Sequence, residues 1–224
     1  MGATFVSSTV VTKATQEPSV HVCGKALKNH RHICAVVNSR EEEFSIHMPF
    51  SKEGLDNGDK VIQIIDIAQK GDHAAALQAL GADVASAEAK GQLAFAHWAD
   101  AYLTEGRFDP EATLKVLESI IADRKAKGYP LSRVVGNMEW ALSGVPGGEN
   151  LLEYEARVNQ VSRHHPDTFI CVYDTRKFGA SQLVDIIRTH PVVIMGGVIH
   201  ENPFFVPPEQ MLQEIAERKK DRSA

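Results

Sequence analysis

The chain has 224 residues, 43% of them hydrophobic and 24% charged, and a formal net charge of −5. That length holds one large domain or two small ones, and the composition is that of a globular protein rather than a disordered or fibrous one. The acidic balance argues against a nucleic-acid-binding surface, no apolar run approaches the ~20 residues that cross a bilayer, and three cysteines (Cys23, Cys34 and Cys171) make no disulfide framework.

Residues 1–28 read as an N-terminal arm. Met1 to Val20 is rich in Ser, Thr and Val and fits an extended arm or a short edge hairpin. No basic stretch followed by an apolar core marks a secretory leader, so a reducing cytoplasm is the expected location. Residues 29–224 read as a single α/β domain. His32–Val37 is its first strand. Glu41–Asn57 is a helix with Phe44, Met48 and Leu55 on one side and Ile46 and Phe50 on the other. Pro49 is expected to kink or restart that helix, because proline cannot donate to the carbonyl four residues back. Gly58 ends it.

Lys60–Asp66 is a β-branched run and the second strand. Asp72–Leu80 is a short Ala-rich helix, and Gln92–His97 is a third strand. Asp109 caps a helix with Pro110 at its first position, running to about Lys127. Ser132–Met138 is the fourth strand, Glu149–His165 a helix stopped by Pro166, and Thr168–Tyr173 the fifth strand. A helix over Ala180–Thr189 ends at His190-Pro191, which reads mainly as a structural stop. Val192–Met195 and Val198–His200 flank Gly196-Gly197 as an antiparallel edge hairpin. Asn202–Pro208 carries Phe204 and Phe205 as a plug for the edge of the core or, as the second reading, a docking patch. A last helix starts at Pro207 with Met211, Leu212 and Ile215 on its apolar side.

Strands separated by helices imply parallel pairing and a three-layer α/β sandwich. The continuous apolar runs KVIQII, FICVY and PVVIM suit strands buried on both faces. In such a sheet, ligands bind outside the carboxyl ends of the strands. The candidate ligand-binding residues there are Asn38, Trp98, Glu139, Trp140, Tyr173 and Asp174, a mixture suited to a small, partly apolar ligand with a few polar handles.

The stretch His32–Phe44 has the strand, turn and helix of a P-loop. It lacks the glycines whose N–H groups would close around a phosphate and the lysine that would meet its charge. Glu41, Glu42 and Glu43 suit the helix dipole and repel a triphosphate. His32 and Cys34 are two apart on a strand, so their side chains face the same way. They are candidate ligand-binding residues. They are also candidate metal ligands, with His21 and Cys23, which repeat the spacing, as the available partners. A thiolate beside an imidazolium is a further reading of the pair, and a Cys packed as a small hydrophobe is the plainer one.

Several stretches resemble, in order, the MEDS domain, the sensory domain of methanogen and methylotroph regulators of the dichloromethane-regulator type. They are HICAVVNSREEEFSIHMPFSKEGLDNGDKVIQIID, GRFDPEATL, VVGNMEWAL, LLEYEARVN, FICVYDTRKF and IIRTHPVVIMGGVIHENPFFVPP. The resemblance spans about residues 30–210. It implies a RecA/KaiC-like fold without a working P-loop and a role in sensing small hydrocarbon derivatives. Members are often fused to a DNA-binding or kinase module, and none is read in this sequence. The family's His-x-Cys pair matches His32 and Cys34, which implies that they belong to the sensing site. Val36-Val37 stand where an aromatic pair is commoner.

The expected function is therefore that of a cytoplasmic small-molecule sensory domain, more a binding protein than an enzyme. It would signal to a regulatory protein partner, with no direct contact to nucleic acid or membrane. The apolar face of the last helix would serve that partner or self-association. No cofactor is expected. A degenerate nucleotide binder, and a metal or thiol redox sensor on His32 and Cys34, are the alternatives.

Overall fold

The computed structural model of the chain describes residues 19–28 and 31–221. The reading of the arm before Ser19 lies outside these residues. The rest of the arm contains a short hairpin, β1 (His21–Val22) against β2 (Lys25–Ala26), turned at Cys23-Gly24. Val20 and Val22 join the core beside Ile46 and Phe50.

The domain then alternates as expected. β3 (His32–Val37), α1 (Arg40–Asp56) and β4 (Lys60–Ile65) come first. Next are α2 (Lys70–Ala79), α3 (Val84–Ala89), β5 (Leu93–His97) and α4 (Trp98–Tyr102). A small hairpin, β6 (Leu103–Thr104) and β7 (Arg107–Phe108), leads into α5 (Pro110–Ala126). β8 (Ser132–Asn137), α6 (Leu151–Ser162), β9 (Thr168–Asp174) and α7 (Ala180–Arg188) follow. β10 (Val192–Met195), β11 (Val198–Glu201) and α8 (Pro208–Asp221) complete the chain.

Seven strands form one sheet in the order β11-β10-β3-β9-β8-β4-β5. All neighbours pair parallel except β10 and β11, the expected edge hairpin, which turns at Gly196-Gly197. Both glycines have φ near +60 to +70°, the geometry a two-residue hairpin turn requires. Alternate residues of each strand face opposite layers. Cys34, Phe169, Cys171 and Tyr173 pack with Tyr154, Val158 and Ile186 of α6 and α7. Ile33, Ala35, Ile170 and Val172 pack with Ile46 and Phe50 of α1. None of the described helices is long and apolar enough to cross a membrane.

Three local findings depart from the sequence reading. Helix α1 runs unbroken through Pro49, because packing of Ile46, Met48 and Phe50 holds both sides of it. Phe204 is 71% exposed, so of the two aromatics only Phe205 is turned inward, into a groove with Pro191 and Asn159. The third is a fully buried Arg133 on β8. It pairs with Asp59 at 2.7 Å and Glu53 at 2.6 Å and donates to the Phe50 carbonyl at 3.0 Å. Gly54 makes room for it, since a Cβ there would lie 2.5 Å from the arginine Cδ.

Candidate functional site

The turn after β3 is stabilised from within. Ser39 caps α1 by accepting the Glu42 N–H at 3.1 Å, and the Glu42 carboxylate accepts the Asn38 N–H at 2.8 Å. A P-loop would turn such an N–H toward phosphate. Here the chain's own carboxylate takes it, reciprocally with the cap.

The other rim residues divide into two groups. Asn38 is exposed, Glu139 is ion-paired with Lys177, and Asp174 forms a forked pair with Arg176. Hydrogen bonding from Arg176 holds the Asp174 carboxyl below its ordinary range. Trp98 is half-buried against His97. These four stand at the carboxyl edge. Trp140 and Tyr173 lie beneath it. Trp140 stacks on Tyr102 at 4.8 Å and packs on Phe108 at 4.6 Å, while Tyr173 is wholly enclosed.

His32 and Cys34 do share a face of β3, the one covered by α6. His32 opens the strand, however, and six residues of strand span about 20 Å, so it stands at the opposite end of β3 from Asn38. His21 is turned to Glu53 on α1, at 2.6 Å, on the other face of the sheet. It and Cys23 are therefore not brought to His32.

What surrounds His32 is a buried polar centre drawn from four elements. Its Nε2 lies 3.0 Å from Glu155 Oε2 and its Nδ1 3.1 Å from Asn159 Oδ1. His190 Nε2 lies 3.3 Å from the same Glu155 oxygen. The two imidazole rings are 4.1 Å apart. Tyr173 donates its hydroxyl to the other carboxylate oxygen, and Cys171 Sγ sits 3.6 Å from both Glu155 Oε2 and His32 Nε2. His32, Glu155, Tyr173 and His190 all have 0% exposure.

Burial alone would push the Glu155 carboxyl up. His190 first, and then His32, would outweigh it when protonated and hold the group far below its ordinary range. Burial pushes the His32 imidazole down and the Cys34 and Cys171 thiols well up. Cys34 therefore lies beside Cys171 as a protonated thiol rather than a nucleophile.

Sequence reasoning missed Glu155, Asn159 and Cys171 and underweighted His190. One signal was available. Leu151, Tyr154, Val158 and Ser162 define the buried stripe of α6, and Glu155 and Asn159 fall inside it. A glutamate in a buried stripe is a rare placement that requires partners.

A second polar group lies on the α1 side. His47 and His73 stack at 5.5 Å beside Phe44, with Glu43 3.7 Å from His47. His73 Nδ1 meets Gln63 Oε1 at 2.8 Å, and neither nitrogen of His47 makes a hydrogen bond. Burial, then the charge of His47, pushes His73 down to about 3.

Near the carboxyl edge a cleft of about 280 Å³ opens between α7 and the turn after β8. Leu142, Leu151, Leu152, Phe178, Gln182 and Ile186 line it. Phe178 packs edge-on against Tyr173 at 5.1 Å. The carbonyl of Ile186 faces His190 Nδ1 at 2.9 Å.

A family profile described as MEDS: MEthanogen/methylotroph, DcmR Sensory domain matches residues 31–191. That span contains the whole buried centre. The chain is 29% identical over 172 residues to the transcriptional repressor DcmR of Methylorubrum extorquens (strain DSM 6343 / CIP 106787 / DM4), covering 75% of this chain and 61% of the repressor's length. The crystal structure of the KaiC-like protein PH0186 from Pyrococcus horikoshii OT3 matches with a TM-score of 0.53 at 12% identity. The match covers 77% of this chain and 73% of that one. This likeness shows the fold, which is KaiC-like as expected.

Proposed function

The chain belongs to the MEDS family of sensory domains, and we propose that it binds a small organic molecule of the hydrocarbon-derivative class and passes the bound state to a regulatory protein partner in transcription control. The similarity to a transcriptional repressor supports the regulatory half of this reading. The cleft under α7 supports the other half: its walls set apolar Leu142, Leu151, Leu152, Phe178 and Ile186 beside polar Glu149, Ser181, Gln182 and Asp185, a mixture that suits a small ligand with both apolar and polar parts.

The observation that carries the proposal is the double role of Ile186. Its side chain lines the cleft, and its carbonyl holds His190 in the buried centre. Phe178 makes a second link, from the cleft through Tyr173 to Glu155. A ligand that favours one setting of α7 shifts the population toward it. The shift travels onward through Asp185–Arg218 and Arg188–Glu214, both 2.8 Å, to α8, the surface a partner would read.

Thermal-shift screening with C1 compounds, haloalkanes and short alcohols tests this. A ligand at 100 times its Kd adds about 2.7 kcal/mol, roughly 5–10 °C for a chain of this size. Leu142 is 40% exposed, so Leu142→Trp fills the cleft without disturbing the core. The stabilisation is expected in the wild type and lost in this variant. A wild type that responds to none of these compounds, or a filled variant that responds equally, contradicts the reading.

A further inference from the structure

We infer that His32, Glu155, Cys171 and His190 form a closed site for a divalent transition metal ion of the zinc type. This stands apart from the ligand reading: the cleft could prove empty and the metal site remain, or the reverse.

The tautomers follow from the partners. Asn159 donates its amide N–H to the Thr189 carbonyl at 2.7 Å, which leaves its oxygen to face His32 Nδ1. His32 therefore carries its proton on Nδ1. His190 Nδ1 meets the Ile186 carbonyl and the Thr189 hydroxyl, both at 2.9 Å; the hydroxyl gives its own proton to that carbonyl at 2.7 Å, so both oxygens accept and His190 carries its proton on Nδ1 as well. When both rings are neutral, two Nε2 lone pairs point at one carboxylate oxygen, from 3.0 and 3.3 Å. His190 Nε2 makes no hydrogen bond. Three electron-rich atoms held this close in a dry interior repel one another unless positive charge lies among them.

The spacing suits a metal. Zinc bonds of about 2.0–2.1 Å to nitrogen or oxygen and about 2.3 Å to sulfur place tetrahedral donors roughly 3.3–3.6 Å apart. The observed separations are 3.0, 3.3, 3.6 and 3.6 Å, and all four donor atoms lie within 4.8 Å of one another.

Three of the four donors are also oriented from behind, as metal ligands generally are. Asn159 holds His32, the Ile186 carbonyl holds His190, and Tyr173 occupies the Glu155 oxygen that faces away from the donors. Charge balances too. On binding, the Cys171 thiol gives its proton to the buffer, and thiolate plus carboxylate offset the dication. Two imidazoles, one carboxylate and one thiolate are a donor set zinc accepts, and four protein donors leave no open position, the mark of a structural site. The ion would join β3, α6, β9 and the α7–β10 junction at one point. The competing occupant is a proton, making one imidazole an imidazolium paired with Glu155.

The test uses the full chain, refolded with zinc or with cobalt(II) and passed through a desalting column. Expected are about one metal per chain by mass spectrometry and, with cobalt, a thiolate-to-metal charge-transfer band. Cys171→Ser is expected to lose that band and weaken zinc at least about 10–100-fold. Tyr173→Phe removes no donor and is expected to keep about one metal, with circular dichroism confirming the fold of each variant. Less than about a tenth of an equivalent on the folded wild type, or a charge-transfer band that survives Cys171→Ser, overturns the site.

Discussion

The two buried histidine groups, one on each face of the sheet, are built from similar residues and differ in organisation. On the α6 face, His32 and His190 each have Nδ1 engaged and Nε2 aimed at Glu155, whose second oxygen is taken by Tyr173. On the α1 face, His47 and His73 stack beside a phenyl ring, their carboxylate stands at 3.7 Å, and three of four ring nitrogens lack partners. The first group is a centre that positions a charge. The second is a pair of stacked rings tolerated inside an apolar layer. The contrast shows that hydrogen-bond direction, not burial or residue type, separates a candidate site from packed core.

The largest effect that sharpens this contrast is expected from Glu155→Ala. Removing one partner of a fully buried charged group costs about 3–5 kcal/mol, so Tm by calorimetry should fall by more than about 6 °C. Tyr173→Phe deletes a hydrogen bond to that carboxylate and should cost about 1.5–3 kcal/mol in urea unfolding. On the other face, His47→Leu removes no hydrogen bond and should change stability by less than about 1 kcal/mol, with either sign. A loss as large as that from Glu155→Ala would erase the distinction.

The pH dependence is gentler. His73, at about 3, and His32 are both held below the ordinary value near 6.5, so the unfolded chain binds more protons once the pH drops past it. Their stabilisation is complete above about pH 6.5 and is lost as pH falls, for His73 down to about pH 3. Metal-free protein should therefore weaken between about pH 6.5 and 5, before most carboxylates titrate, and His73→Leu should flatten part of that slope. An unchanged slope would contradict the assignment of His73.

Much of the fold was legible because parallel strands write themselves as apolar runs such as KVIQII and FICVY. The edge hairpin was equally plain from Gly196-Gly197. The pieces that escaped, α3, α4 and the β6–β7 hairpin, are two to six residues long and owe their form to tertiary packing rather than to local pattern. His32 was visible as a polar opening to an apolar strand. Its true partners were not, because Glu155 and Cys171 lie 123 and 139 residues away and meet it only once α6 crosses that face. His190 read as a helix stop because the proline after it supplied a sufficient local reason.

The buried centre depends on the direction of two rings. Long-range nitrogen–proton correlation NMR of the imidazoles in folded protein at neutral pH reports which nitrogen carries the proton in each. The prediction is an Nδ1–H in both His32 and His190, with their Nε2 nitrogens turned to Glu155 or to a metal. A bare Nδ1 in either ring would contradict it.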